Sequence, residues 1–268
     1  MAPQTPSNPD EVLVIRNVTP NIVTLSLPFS PFGGVKFGGR GTLVRLVTGS
    51  IAVFSPVPLT PLVHEAIASL GGQIKYIAAL NIEHHLNLTA WKDAFPAAEI
   101  IAPEGLWEKR QAVAEFKDTA FTHVFRKDDH EPPKISDEFS AEFVVEYVHG
   151  HQSKELVFLH TPSKTLIEAD LVLNLPATEQ YSRTGESAAS GLLNRLLKPL
   201  ASTEMSAFWQ KKYVWHVSAM ADRKAFGASV RRIAAWEFDR IIPCHGDVIE
   251  GNAREVFLTV MERFLTAF

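Results

Sequence analysis

The sequence has only one cysteine, Cys244, in 268 residues, so no disulfide can form within the chain. It also lacks any apolar run approaching the roughly 18 residues that a membrane-spanning helix needs. Residues 1–11 are rich in Pro, Asn and Ser and have no apolar stretch, unlike a secretory signal peptide. These absences predict a cytoplasmic protein with no membrane span, in which residues 1–11 form a disordered tail.

Clusters of basic residues are missing too. The chain has 26 Lys and Arg against 30 Asp and Glu, a net charge of −4, and its basic residues are dispersed apart from short pairs such as Lys211-Lys212. A nucleic-acid-binding face needs clustered positive charge to displace counterions. We therefore expect no nucleic-acid partner, and the sequence leaves a homodimer open.

Strand-like and helix-like patterns alternate along both halves of the chain. Short β-branched segments predict strands early in each half. An apolar stripe over Pro58 to Leu70 predicts a helix, with Thr60 as its N-cap and Pro61 as its first residue. Further helices are predicted at 104–116 and 207–219. Two similar halves of this kind predict an α/β fold, a four-layer αββα sandwich over residues 12–268.

Four groups of ionisable residues directly follow predicted strands. They are residues 81–85 (Asn-Ile-Glu-His-His), residues 149–151 (His-Gly-His), Asp170 and residues 244–247 (Cys-His-Gly-Asp). Loops at strand ends on a rigid sheet are where sites are usually built. Imidazole and carboxylate together suit zinc, iron or manganese. Each histidine alone could be a satisfied core residue, but four groups in one topological position favour a metal site.

The order of these groups resembles the metallo-β-lactamase fold superfamily. Its motifs are a strand-end His-x-His-x-Asp-His, a later His, a bridging Asp at a fixed interval, and a final His in a Pro-x-His-Gly context. Here 18 residues separate His151 from Asp170, and residues 243–246 read Pro-Cys-His-Gly. The strands predicted over 41–54 and the helix after them also match, so the resemblance covers nearly the whole chain.

The first motif departs from the family pattern. Ala79 and Asn81 stand where the first two His would be, so the first metal site keeps only His151. An acidic residue that the family carries after an early strand is replaced by Ser55-Pro56. With these departures the chain resembles a branch of the superfamily known chiefly as a domain of unknown function. The resemblance then implies one divalent metal ion, with zinc preferred and iron or manganese as alternatives.

The resemblance also implies the residues of the site. The expected metal ligands are His84, His151, Asp170 and His245, and the expected catalytic carboxylates are Glu83 and Asp170. His85 competes with His84 for the ligand position, and His149 has the same relation to His151, although the interval to Asp170 favours His151. His216 is a further candidate, as a proton donor.

Residues 176–219 interrupt the regular pattern where the superfamily places substrate-binding loops and lids. This segment is rich in large apolar residues, which are Leu192, Leu193, Leu196, Leu197, Phe208, Trp209, Tyr213 and Trp215. As the inner surface of a lid they would favour an organic substrate with a hydrophobic body. Alternatively, they belong to the core.

Three functional hypotheses follow. The first is a mononuclear metal-dependent hydrolase of a small organic ester, lactone or thioester, since a metal lowers the pKa of bound water to about 7 and polarises a carbonyl. The second is an iron-dependent redox enzyme on the same fold. The third, suggested by the loss of two ligands at Ala79 and Asn81, is a non-catalytic descendant that binds a ligand or a partner.

Overall fold

A computed structural model describes residues 6–31, 34–116 and 119–267 of the chain. The first of its two sheets has seven strands in chain order, which are β1 (Val14–Thr19), β2 (Ile22–Leu27), β3 (Gly39–Arg45), β4 (Ile51–Phe54), β5 (Ile74–Ala78), β6 (Glu99–Pro103) and β7 (His123–Phe125). Strands β1 to β4 pair antiparallel, and β4 to β7 pair parallel.

The second sheet has five strands, which are β8 (Phe143–Val148), β9 (Glu155–His160), β10 (Thr165–Ile167), β11 (Arg240–Ile242) and β12 (Ile249–Glu250). Their order across the sheet is β12-β11-β10-β9-β8. Strands β10 and β11 are parallel, and the other neighbours are antiparallel.

Ten α-helices occur in the part of the chain that the structure describes. They are α1 (Pro9–Val12), α2 (Pro61–Leu70), α3 (Leu88–Ala94), α4 (Leu106–Gln111), α5 (Asp137–Glu142), α6 (Thr178–Tyr181), α7 (Leu192–Leu197), α8 (Phe208–Tyr213), α9 (Arg223–Ala234) and α10 (Ala253–Thr266). None of these described helices is both long and apolar enough to cross a bilayer.

The two sheets pack face to face, and helices cover their outer faces. Alternation along β4 shows this arrangement, because Ala52 and Phe54 join the core between the sheets while Ile51 and Val53 join the core under α2 and α3. On the second sheet, α9 and α10 pack over the outward residues of β9 and β10. The predicted four-layer αββα sandwich is therefore confirmed.

Helix α2 begins and ends as the sequence predicts. The Thr60 hydroxyl accepts a hydrogen bond from the backbone N–H of Val63, and Pro61 occupies the first helical position, where no N–H is needed. Gly71 ends the helix with φ 120°, in the left-handed region that glycine favours. This helix connects β4 to β5, and the loops that follow these two strands both reach the site.

Three other segments differ from the sequence predictions. The helix predicted at 104–116 begins only at Leu106, because Gly105 has a left-handed φ of 83°, and it ends at Gln111. The helix predicted at 207–219 is divided into α8 and a π-helical segment, Val214–Ser218. Residues 1–5 of the predicted tail lie outside the described residues, and α1 lies in and just beyond the remainder.

Phe158 on β9 provides a test of the core between the sheets. Its buried ring lies 4.9 Å from that of Phe54 on the opposite sheet. We expect Phe158→Ala to lower the free energy of unfolding by about 3–5 kcal/mol, because the cavity it leaves cannot collapse between two sheets. Denaturant unfolding measures this. Val144→Ala, at a 40% exposed position on β8, is the control and should cost less than about 1 kcal/mol; equal losses would contradict this packing.

Candidate metal centre

Three of the expected ligands converge from three separate loops. One potential ligand atom from each of His84, Asp170 and His245 lies within 4.8 Å of the other two. Nε2 of His84 is 3.4 Å from Oδ2 of Asp170, and Nε2 of His245 is 3.3 Å from Oδ1 of the same carboxylate. Asp170 thus lies between two imidazoles, with one oxygen facing each ring.

The orientation of His245 is set by its other nitrogen. Nδ1 lies 2.6 Å from the carbonyl oxygen of Gly38, so it is the nitrogen that donates a hydrogen, and Nε2 faces Asp170. Phe29 stacks on the ring and Phe37 contacts it edge-on. A neutral His245 held in this way presents a lone pair to the cluster.

The loop that carries His245 is fixed by buried polar contacts on both sides. The fully buried guanidinium of Arg40 donates to the carbonyl oxygens of Pro243 and Gly246. Gln180 donates to the carbonyl oxygen of Cys244 and accepts from the N–H of Gly246. A Cβ at Gly246 would lie 2.0 Å from the carbonyl oxygen of Asn174, so only glycine fits there.

Asn81 makes four hydrogen bonds at the centre of the site. Its amide nitrogen donates to Glu155 and to Oδ2 of Asp170, each at 2.7 Å. Its carbonyl oxygen accepts from the backbone N–H groups of Glu83 and His84, at 2.8 and 3.1 Å. One side chain therefore connects the loop that carries His84 to the carboxylate at the centre of the cluster.

Beneath Asn81, two carboxyl groups are buried. One oxygen of Glu155 accepts from the N–H groups of Ala169 and Asp170, so it holds the loop that presents Asp170. Burial, together with the nearby Asp170, raises the pKa of Glu155 to about 8. Glu168 accepts from the N–H groups of the turn that follows, and burial raises its pKa as well.

Ser55 occupies the place of the acidic residue that the resemblance led us to look for. Its backbone has a left-handed φ of 49°, and its hydroxyl is 3.4 Å from Nδ1 of His84. A hydroxyl thus lies against the nitrogen of His84 that faces away from Asp170.

His151 is buried beside the cluster but outside the group of three. Its Nδ1 accepts from the N–H of Ser153, and its Nε2 makes no hydrogen bond to any of the described residues. Burial lowers the pKa of His151 to about 4, against an opposing effect of Asp170, so the ring is neutral at pH 7. An unpaired neutral nitrogen beside a carboxylate is unusual in a protein interior.

The charges of the cluster reinforce one another. Although burial opposes ionisation of Asp170, the imidazoles of His84, His245 and His151 hold its pKa far below the usual range. Although burial opposes a charge on His84, the Cys244 thiol and the Asp170 carboxylate raise its pKa well above that of an ordinary histidine. The cluster therefore has a permanently ionised carboxylate at its centre.

The cluster forms part of the wall of a cavity of about 600 Å³. His84, His151, Asp170 and His245 all line it, and much of the remaining wall is apolar. The apolar lining includes Leu27, Phe29, Phe37, Val57, Leu173 and Tyr213. The cavity has the size and character of a small-molecule site.

Four other candidate residues lie outside the cluster. The exposed carboxylate of Glu83 pairs with Lys109 at 2.7 Å, on the cavity wall. His85 also lines the cavity but is not in the group of three; Arg110 donates to its carbonyl oxygen and lies 3.2 Å from Nδ1 of its ring. His149 packs against Tyr147 and His216 is exposed on the π-helical segment; neither lines the cavity.

The predicted lid presents its apolar residues differently from the expected inner surface. Of its large apolar side chains only Tyr213 lines the cavity, and Trp215 packs against Phe264 of α10. Most of the others are exposed, because the buried positions of α7 and α8 are polar ones, Asn194 and Gln210. The apolar wall comes instead from the loops after β2 and β4.

Three supporting residues could not be recognised from sequence patterns. Glu155 begins β9 and Glu168 directly follows β10, as solvated polar residues commonly do, and Gln180 lies in the irregular lid segment. Asn81 and Ser55 were recognisable only as departures from the family pattern. Their present contacts join residues far apart in sequence, which local patterns do not reveal.

These residues fit a divalent metal ion. Two imidazoles and one carboxylate form the group of three, and the buried Nε2 of His151, without a partner among the described residues, adds a nitrogen on the same cavity. Zinc, iron and manganese all accept such nitrogen and oxygen ligands.

The sequence matches a known family but no curated protein. The family model of a domain of unknown function, DUF4336, matches residues 33–197. No curated protein matches the sequence.

Solved structures similar to the model share the fold at low sequence identity. A metallo-β-lactamase from Pontibacter korlensis is 12% identical with a TM-score of 0.57, covering 93% of this chain and 99% of its own. The protein TMB-1 is 15% identical with a TM-score of 0.58, covering 94% and 97%. A flavoprotein from Thermotoga maritima is 14% identical with a TM-score of 0.56, covering 94% of this chain and 61% of its own. The fold is that of the metallo-β-lactamases.

Asn81→Leu tests the bridge at the centre of the site. The substitution nearly preserves volume but leaves two carboxylate oxygens and two backbone N–H groups without their partner. We expect a loss of at least about 3 kcal/mol in the free energy of unfolding, measured on chelator-treated protein by denaturant titration. Asn17→Leu, at an exposed position on β1, is the matched control. Similar small losses in both variants would show that the bridge is dispensable.

Proposed function

The chain belongs to the DUF4336 family, a family of unknown function, and we propose that it is a metal-dependent hydrolase of a small organic ester, lactone or thioester. The convergence of His84, Asp170 and His245 on the wall of a largely apolar cavity carries this proposal. It combines ligands suited to a divalent metal with room for an organic substrate.

The proposed centre is mononuclear, with His84, Asp170 and His245 as ligands and His151 as the fourth candidate. A second ion would need ligands at two positions that cannot supply them. Ala79 is packed in the core beneath α2 and α3, and the side chain of Asn81 already makes four hydrogen bonds. Zinc is the preferred metal, and iron and manganese suit the same ligands.

A bound metal would polarise the scissile carbonyl and lower the pKa of a water to about 7. The chain's own residues prepare the site for this. Asp170, whose pKa is held low, stays ionised, and the Gly38 carbonyl keeps Nε2 of His245 turned toward the cluster. Apolar walls limit the access of bulk water to the reacting bond.

Asp170 is the carboxylate that we place at the reacting centre. Glu83 lies at the wall of the cavity in an ion pair with Lys109, so it acts as a base only when that pair opens. The variant Glu83→Gln distinguishes the role of Glu83 from that of Asp170, because it removes the carboxylate of Glu83 and leaves the cluster intact.

Metal content is the first test of the proposal. We expect about one metal ion per chain in protein purified without chelators or a His-tag, measured by elemental mass spectrometry. Asp170→Ala and His245→Ala should each abolish it. His216→Ala is the control, because this exposed histidine does not line the cavity, and it should keep the metal.

Each result of that measurement has a definite meaning. Zinc or manganese lost in both site variants supports the hydrolase. Iron as the native metal would favour a redox reaction instead, on a fold that is shared with the flavo di-iron protein of Thermotoga maritima. No metal even after reconstitution would overturn the enzyme proposal and leave a binding protein.

The apolar walls predict a preference among substrates. In a series of esters or thioesters with unbranched acyl chains, kcat/KM should rise roughly fourfold per added methylene until the cavity is filled, as expected for about 0.8 kcal/mol per buried methylene. Steady-state kinetics on the metal-loaded protein measures this. A kcat/KM that is flat or falling with chain length would contradict an apolar acyl site.

A further inference from the structure

The lid segment exposes an unusual concentration of large apolar side chains. Six of them lie within 18 consecutive positions and are each between 51% and 101% exposed: Leu192, Leu193, Leu196, Met205, Phe208 and Trp209. We call these six residues the lid patch. Exposed apolar side chains in this number mark a place where a protein would meet an apolar partner.

The two helices that carry most of the lid patch, α7 and α8, bury a polar side chain and expose apolar ones, which is the reverse of an ordinary surface helix. In α7 the buried side chain is Asn194, which accepts from the N–H of Lys36 and donates to the carbonyl oxygen of Gly34. In α8 it is Gln210, which donates to the carbonyl oxygen of Leu173. Polar anchors on the inner side hold the leucines and aromatic rings outward.

The charge around the lid patch differs in sign from that of the whole chain. Residues 190–215 contain four basic residues and one acidic residue, in a chain with a net charge of −4. Lys198 pairs with Glu204 and Lys211 pairs with Glu262, so the charges left to the lid patch among the described residues are those of Arg195 and Lys212. Arg195 is exposed between the leucines of α7, and the ammonium of Lys212 lies 4.8 Å from the ring centre of Phe208. A second copy of this face would bring like charges together, whereas an anionic surface would complement them.

We propose that the lid patch docks this protein onto an anionic lipid bilayer. Leucine, phenylalanine and tryptophan side chains enter the boundary between headgroups and acyl chains, and basic residues around them contact the anionic headgroups. The same helix α8 contributes Tyr213 to the cavity wall, so the docking face and the site share one element.

Vesicle sedimentation tests this proposal on the full chain. Wild-type protein should sediment with vesicles that contain phosphatidylserine, much less with phosphatidylcholine alone, and less as salt is raised. The double variant Phe208→Ser, Trp209→Ser should weaken binding at least about tenfold, and Arg195→Glu with Lys212→Glu by a similar factor. Val47→Ser is the matched control, since Val47 is 84% exposed outside the lid patch.

Four results would overturn the proposal. They are no sedimentation with anionic vesicles, equal sedimentation with neutral ones, undiminished binding by the Phe208/Trp209 variant, or undiminished binding by the charge-reversed variant. Size-exclusion chromatography tests the remaining alternative, which is self-association through the lid patch. A wild-type dimer that this Phe208/Trp209 variant converts to a monomer, without lipid binding in either, would assign the lid patch to self-association.

Discussion

The hydrogen bonds of Asn81 are the contact on which the rest of the site depends. Asn81 follows β5 of the first sheet, whereas its partner Glu155 begins β9 of the second sheet and its partner Asp170 lies in the loop after β10. Backbone bonds strengthen this junction, from Ile82 to Ser153 and from Leu156 to Leu80. Buried carboxylates require donors, so the amide that satisfies them also fixes where the two sheets meet. The positions of His84 and Asp170 relative to each other follow from that junction.

Two departures from the family pattern become intelligible through this contact. An amide stands where a histidine ligand was expected, and the hydroxyl of Ser55 stands where a carboxylate was expected. Both replacements are neutral, and both are within reach of hydrogen bonds to residues of the cluster. Asp170 keeps its ionised state because three imidazoles face it, not because of a charge at Asn81 or Ser55. At both positions the side chain thus reaches the cluster through a hydrogen bond.

The fold and the loops of the site were predictable, because the signals for them are local. The short apolar run of β4, the caps of α2 and the interval from His151 to Asp170 can all be read within a few turns or strands. The choice of which histidine in a pair faces the cluster is not determined by a local signal. His85 contacts Arg110, 25 residues further on, and no periodicity in residues 81–85 encodes that contact.

The lid shows why a binary pattern of apolar and polar residues can mislead in a segment without a sheet. The backbone of Gly34, Lys36 and Leu173 needs partners for groups that no strand satisfies there, and side chains of Asn194 and Gln210 supply them. Once those polar side chains face inward, the short helices have no inner face left for their leucines and aromatic rings. Satisfying loop backbone therefore turns the apolar residues outward, and the same local requirement that completes the fold creates the surface that we propose meets a bilayer.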